Sequence, residues 1–206
     1  MRLGVISDVH CAADDLQRAA EHLVSEGVDE ILLAGDAHFE YRFSNEVASL
    51  IQAYGMRYIL GNHEAVLLGP HGSRARSRPH VGAANLRFTE EAPFRLRANV
   101  GGKTLTMVHA NPWAPDNEYL GPQNRLFDRC DELDTDFLVL GHTHVPAVFR
   151  RGRTLVVNPG SLAMSREPGA PLGTLTYAVL DTDAEAAEIV RATRDGLRTT
   201  VPVELS

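Results

Sequence analysis

The chain has 206 residues, 44% of them apolar and 23% charged, a balance that suits one globular domain and excludes a disordered or membrane-embedded chain. Its formal charge of −7 argues against a stable nucleic-acid backbone partner, because such binding rests on lysine and arginine neutralising phosphates. The two cysteines, Cys11 and Cys130, are too few for a disulfide framework and lack metal-finger spacing, so a reducing cytoplasm is the expected setting. The apolar stretch at the amino terminus is too short for a secretory signal, and no later stretch approaches the roughly 20 apolar residues of a membrane span.

Residues 3–6 read as the first strand. Leu16, Ala19, Ala20, Leu23 and Val24 then recur at helical spacing over residues 14–26, with Gly27 where a C-cap glycine belongs. After a strand over 31–34, Ser44 reads as the N-cap of a helix that buries Val47, Leu50, Ile51 and Tyr54 and stops at Gly55, ahead of a strand over 58–60. Residues 69–84 lose periodicity and gain Gly, Pro, Ser and Arg, which predicts a long surface loop. Segments 94–98 and 103–108 flank Gly101-Gly102, a hairpin signal. Leu126, Phe127, Cys130 and Leu133 mark one more helix before a strand over 137–140, and 154–157, 175–180 and 187–192 supply further strands. A βαβ half followed by an antiparallel half predicts an α/β fold. Its form is a four-layer αββα sandwich, two mixed β-sheets face to face with helices outside, in a single domain over residues 1–206.

Five of these strands end in short polar fragments: Asp8-x-His10, Gly35-Asp36, Gly61-Asn62-His63-Glu64, His109 and Gly141-His142-Thr143-His144. Ligand sites of layered α/β proteins collect beyond the carboxyl ends of the strands, so fragments scattered over more than half the chain can converge. If extended geometry persists past the first strand, Asp8 and His10 point the same way, and carboxylate plus imidazole suits zinc, manganese or iron. His142 and His144 follow a fully apolar strand that gives them little structural reason to be there, and Gly141 permits close backbone approach. Asn62 adds a neutral oxygen, and Glu64 is a carboxylate able to hold the tautomer of His63.

Around this set lie weaker candidates for substrate contact. His38 faces either solvent or substrate. Arg74 and Arg76, with Arg78, form a basic run that either holds a phosphate or solvates a loop, and the amide of Asn111 is a further candidate. Trp113 and Tyr119 either stack on a base or aryl group or seal the rim, while Cys11 reads as a small side chain filling a turn, ahead of an accidental metal ligand or an oxidation-sensitive gate.

The ordered set resembles the calcineurin-like metallophosphoesterase superfamily, whose signature runs Asp-x-His, Gly-Asp, Gly-Asn-His-Asp/Glu, His and Gly-His-x-His. All five motifs are present in order, and Asn158-Pro159-Gly160-Ser161 looks like the segment that closes this region in the small single-domain phosphodiesterases of the family. The resemblance implies two divalent ions, with manganese expected ahead of iron, zinc, nickel or cobalt. One would be held by Asp8, His10, Asp36 and His144 and the other by Asp36, Asn62, His109 and His142, so that Asp36 bridges them. Such a pair acidifies a shared water and stabilises charge on a phosphoryl group in flight. The catalytic group would then be Asn62, His63 and Glu64, with His63 protonating the leaving alkoxide and Glu64 orienting its ring. Hydrolysis of small phosphodiesters is the implied reaction. Gly35-Asp36 continues as Ala37-His38-Phe39-Glu40, without the arginine typical of phosphoprotein phosphatases. That weighs against the alternative of a phosphomonoesterase, whether phosphoprotein phosphatase or dinucleoside polyphosphate hydrolase. A protein-binding scaffold without catalysis is a more distant reading, and a homodimer is compatible with so small a fold.

Overall fold

The computed structural model describes residues 1–113, 118–194, 196 and 198–202; the domain expectation for 114–117, 195, 197 and 203–206 lies outside the described residues. The first half contains β1 (Arg2–Ile6), α1 (Ala13–Ser25), β2 (Glu30–Leu33), α2 (Asn45–Ala53), β3 (Arg57–Tyr58), α3 (Asn62–Leu68), α4 (Ser73–Arg76) and α5 (Ala83–Glu90). The second half contains β4 (Arg95–Val100), β5 (Lys103–Val108), β6 (Phe137–Val139), β7 (Ala147–Arg151), β8 (Thr154–Asn158), β9 (Leu175–Asp181), β10 (Ala186–Ala192) and β11 (Arg198–Pro202).

Two mixed sheets result, in the orders β11-β10-β9-β1-β2-β3 and β4-β5-β6-β8-β7. Alternation along the strands assigns the layers. Leu3, Val5, Leu32, Leu105, Met107, Phe137, Val139, Leu155, Val157, Ala178 and Leu180 fill the space between the sheets. Ile6, Ile31, Leu33, Tyr177 and Val179 face outward onto α1 and α2, meeting Leu16, Ala20, Leu23, Val47 and Ile51. On the far side Val108, Leu138, Leu140 and Val156 pack with Phe127 and Cys130, which belong to a 3-10 helix, Arg125–Leu133, where the sequence predicts an ordinary helix. Burial on both faces is why the strand sequences read as unbroken apolar runs.

The helix predictions at 14–26 and after Ser44 match α1 and α2. Ser44 Oγ accepts from Val47 N at 3.2 Å, and Gly27 (φ 71°) and Gly55 (φ 59°) take the left-handed conformation just beyond the helix ends. Gly101 and Gly102 both have positive φ (60° and 82°), as a two-residue hairpin turn requires.

The predicted loop over 69–84 is corrected: it contains the 3-10 turn Pro70–Gly72 and α4, and α5 opens at its end. Its order comes from Leu67 and Ala75, buried against Phe43 and Ala48, and from Arg76, whose guanidinium donates to the carbonyls of Leu67 and Gly69 at the end of α3. So few apolar anchors leave no periodicity to read. No helix among the described residues is long and apolar enough to cross a membrane.

Candidate metal centre

Within each sheet, the strands that deliver the polar fragments run parallel, β1-β2-β3 in one and β5-β6-β8 in the other. Their carboxyl ends therefore open on one edge per sheet. Asp8 and His10 follow β1, Asp36 follows β2, Asn62 and His63 begin α3 directly after β3, His109 follows β5, and His142 and His144 follow β6. All but Asn62 and His63 are buried.

The extended geometry expected beyond β1 does not persist. Asp8 and His10 have φ of 56° and 47°, Cys11 65°, Asp36 53°, and His142 and His144 66° and 60°. The left-handed region is disfavoured for non-glycine residues by roughly 1 kcal/mol or more each. Six such residues at one place are a concentration of strain of the kind that marks functional sites. The sharp turns allow strand ends to meet. A Cβ on Gly35 would lie 2.6 Å from His109 Nδ1, one on Gly61 2.6 Å from Asp36 N, and one on Gly141 2.8 Å from Asp8 Oδ2. Each of these glycines is thus a point where one ligand-bearing turn touches another.

Three groups of ligand atoms arise, Asp8–His10–His144, Asp36–His109–His142 and His10–Asp36–His63, each with its atoms within 4.8 Å of one another. Asp36 belongs to two of them. His144 Nε2 stands 3.1 Å from Asp8 Oδ1 and 3.2 Å from His10 Nε2. His109 Nε2 stands 3.1 Å from Asp36 Oδ2 and 3.0 Å from Asn62 Oδ1. His109 Nδ1 donates to the Ala34 carbonyl at 2.7 Å and His144 Nδ1 to that of Met164 at 3.1 Å, which fixes both rings with Nε2 toward the cluster.

These residues fit a divalent cation. Asp8 Oδ1 is buried and, among the described residues, accepts no hydrogen bond, a costly state for a carboxylate unless a cation compensates it. Burial lowers the His10 pKa to about 4, although Asp36 and Asp8 oppose this, so the ring is neutral and one of its nitrogens offers a lone pair. Burial also disfavours charge on Asp36 and His109. Their mutual attraction overrides it, holding Asp36 below the usual carboxylate range and His109 above the usual imidazole range.

Glu64 does not orient His63, contrary to the sequence expectation. Its carboxylate is fully buried and accepts from the backbone N–H groups of Asp36 (3.0 Å), His38 (2.7 Å) and Gly61 (2.8 Å). Burial first, then the charge of Asp36, raise its pKa to about 7. It clamps the turn after β2 to the start of α3. The partner of His63 is Glu40, whose Oε2 meets His63 Nδ1, while His63 Nε2 points back to within 3.7 Å of Asp36 Oδ2. Sequence reasoning missed Glu40; the available signal was an acid four residues past Asp36 in a loop that had to return toward the strand ends. Phe39, beside it, stacks on His10 at 4.8 Å.

Other expectations are relocated too. His38 faces neither solvent nor substrate: it is fully buried, its Nδ1 accepts from Ser44 N at 3.3 Å and its ring stacks on Phe43. Arg76 caps α3 and so is not turned toward a phosphate. Arg74 is exposed on α4. Asn111 is buried, and its amide accepts from Trp113 N at 2.8 Å and donates to Glu118 at 3.3 Å. Trp113 packs edge-on against Phe127, whereas Tyr119, 58% exposed, stacks on His142 at 4.0 Å. Cys11 fills a turn, its thiol donating to the Arg42 carbonyl at 3.3 Å. The Asn158–Ser161 segment braces the site: Asn158 Nδ2 donates to Gly141 O at 2.8 Å and Ser161 Oγ to Asp8 O at 2.8 Å.

Two facing sheets with aspartate, histidine and asparagine donors gathered at their carboxyl edges define an α/β protein built around a metal-ligand cluster. The chain belongs to the calcineurin-like phosphoesterase superfamily, whose domain matches residues 1–185. Among curated relatives it is 26% identical to the protein MJ0912 of Methanocaldococcus jannaschii, over 94% of this chain and 88% of that one. It is 25% identical to the phosphodiesterase YfcE of Escherichia coli, over 89% of each. Among solved structures, a metallophosphoesterase from Sphaerobacter thermophilus shares the fold with a TM-score of 0.67 at 24% identity, covering 100% of this chain and 90% of that one.

Proposed function

We propose that this chain is a phosphodiesterase acting on small phosphodiesters, with two divalent ions held by Asp8, His10, Asp36 and His144 and by Asp36, Asn62, His109 and His142. When bound, such ions would activate water and draw charge from the phosphoryl oxygens. The chain's own contribution to bond cleavage is His63. Glu40 holds its Nδ1, which leaves Nε2 to carry a proton toward a leaving oxygen at the mouth of the cluster. Glu64 keeps the Asp36 turn and α3 in fixed relation, so that donor and ligands stay aligned. The observation that carries the reading is this partly exposed imidazole, oriented by a carboxylate and facing the buried carboxylate of Asp36, an arrangement that a pure scaffold does not need. Resemblance to YfcE, named a phosphodiesterase, favours diesters. A cytoplasmic setting agrees with Cys11 and Cys130 both being free thiols.

The test compares bis-4-nitrophenyl phosphate with 4-nitrophenyl phosphate, which share a leaving group, on protein reconstituted with Mn²⁺. The expected result is diester preference that is lost on chelation and restored by metal. Monoester preference would move the protein to the phosphomonoesterases, and metal binding without turnover of either ester would leave the scaffold reading.

A further inference from the structure

A cavity of about 460 Å³ adjoins the candidate centre, and Asn62 and His109 form part of its wall. A molecule seated there has the candidate ligands Asn62 and His109 within the same wall. The rest of the wall is mostly apolar, from Leu60, Ala65, Val108 and Ala110, and Phe94 and Arg95 complete it where β4 begins. The volume lies within the roughly 300–1,000 Å³ of small-molecule sites, enough for one ring system.

The polar groups in this wall are largely occupied. Asn111 is engaged with Trp113 and Glu118. Arg95 donates to the Pro112 carbonyl and its side chain lines the cavity. Phe94 is 57% exposed, an aromatic side chain whose ring is left open at the cavity. A phenyl ring and a guanidinium have one binding partner in common, a flat π-system, which the first meets by stacking or edge contact and the second through cation–π attraction. Tyr119 adds a second exposed aromatic on the His142 side of the centre.

We infer that the cavity bounded by Phe94, Arg95, Leu60 and Ala110 is the subsite for an aromatic substituent, aryl or nucleobase, of the phosphoester that the centre cleaves. This rests on the phosphoesterase reading above and specifies the substrate class within it. An aliphatic ester would leave the Phe94 ring without a stacking partner. Discrimination therefore resides in the organic group, while the phosphoryl group is held by the centre.

The experiment measures equilibrium binding by calorimetry, with no turnover, of phenylphosphonate and methylphosphonate to the Mn²⁺-loaded protein. Phenylphosphonate is expected to bind about tenfold more tightly, the scale of burying and stacking one ring. Phe94→Ala should shrink that ratio to about threefold or less. Ala65→Trp, at an exposed position on α3 that leaves the core untouched, should block the cavity and bring the ratio to about one while methylphosphonate still binds. Equal affinity of the two phosphonates for the unmodified protein, or a ratio unmoved by both variants, overturns the subsite alone. Binding of neither phosphonate to metal-loaded protein overturns the phosphoesterase reading as well.

Discussion

Glu40 Oε2 meets His63 Nδ1, so that the opposite nitrogen of the ring faces Asp36 at 3.7 Å. A carboxylate in this position selects the tautomer and fixes the orientation of the ring, so Glu40 is expected to act through His63. Glu40→Ala should lower kcat by about 10- to 100-fold, and His63→Ala by about 10²- to 10⁴-fold. The double variant should resemble His63→Ala alone, because the pair works as a unit. Metal content, read by elemental analysis, should stay unchanged in all three. Loss of an ion with His63 would make that residue a ligand, in line with its place in the His10–Asp36–His63 group.

The buried carboxylate of Glu64 predicts a different phenotype. Three backbone N–H groups, from Asp36, His38 and Gly61, converge on it. An amide in its place turns a donor toward at least one of them. Glu64→Gln should cost about 2–3 kcal/mol, the scale of an unsatisfied buried donor, and so lower Tm by about 5–10 °C for a chain of this size. Metal affinity should fall with it, because the turn carrying Asp36 loses its tie to α3. Unchanged Tm and unchanged metal affinity would show that the clamp is dispensable.

The candidate ligands were legible in the sequence because each stands just past an apolar strand, and parallel strands in each sheet send those ends to one edge. The parallel run β5-β6-β8, in a half that reads as antiparallel, comes from the structure. That rule points to Asp8, His10, Asp36, Asn62, His63, His109, His142 and His144 alike, and their division into metal ligands and His63 comes from the family resemblance. The side chains that hold them needed geometry. Glu64 sits beside His63 in sequence, yet α3 turns it inward to the Asp36 turn, and Glu40 reaches His63 only because the loop after β2 folds back. His38 looked exposed because a loop usually is, but Phe43 and α5, through Thr89, enclose it. Residues 69–84 looked irregular because three short helical pieces carry too few apolar positions to show a period.

Arg76 offers a test of that last correction. Its guanidinium donates to the carbonyls of Leu67 and Gly69, which a helix end would otherwise leave without a partner. Arg76→Ala should cost about 1–3 kcal/mol in stability, visible as a lower urea midpoint with unchanged slope. KM for a small phosphodiester should stay within about twofold, since the guanidinium is engaged with the end of α3 rather than with substrate. A large rise in KM with no loss of stability would return Arg76 to the substrate.

Gly61 has an ordinary φ of −106°, so alanine meets no backbone obstacle there and its effect isolates the steric one. Its Cβ would stand 2.6 Å from Asp36 N and 2.8 Å from Asp36 Cγ, against a residue that, like His10, is shared by two ligand groups. Gly61→Ala should therefore weaken metal binding about tenfold or more, equivalent to roughly 1.4 kcal/mol, while the far-ultraviolet circular dichroism of the fold is retained. Metal should also stabilise the unmodified chain. At a hundredfold excess over Kd the linkage is worth about 2.7 kcal/mol per site, or about 5–10 °C in Tm. In Gly61→Ala at the same metal concentration that increment should shrink by about half. An increment equal to that of the unmodified chain would mean that Asp36 escapes the added methyl, and that the contact between the two turns does not set the geometry of the centre.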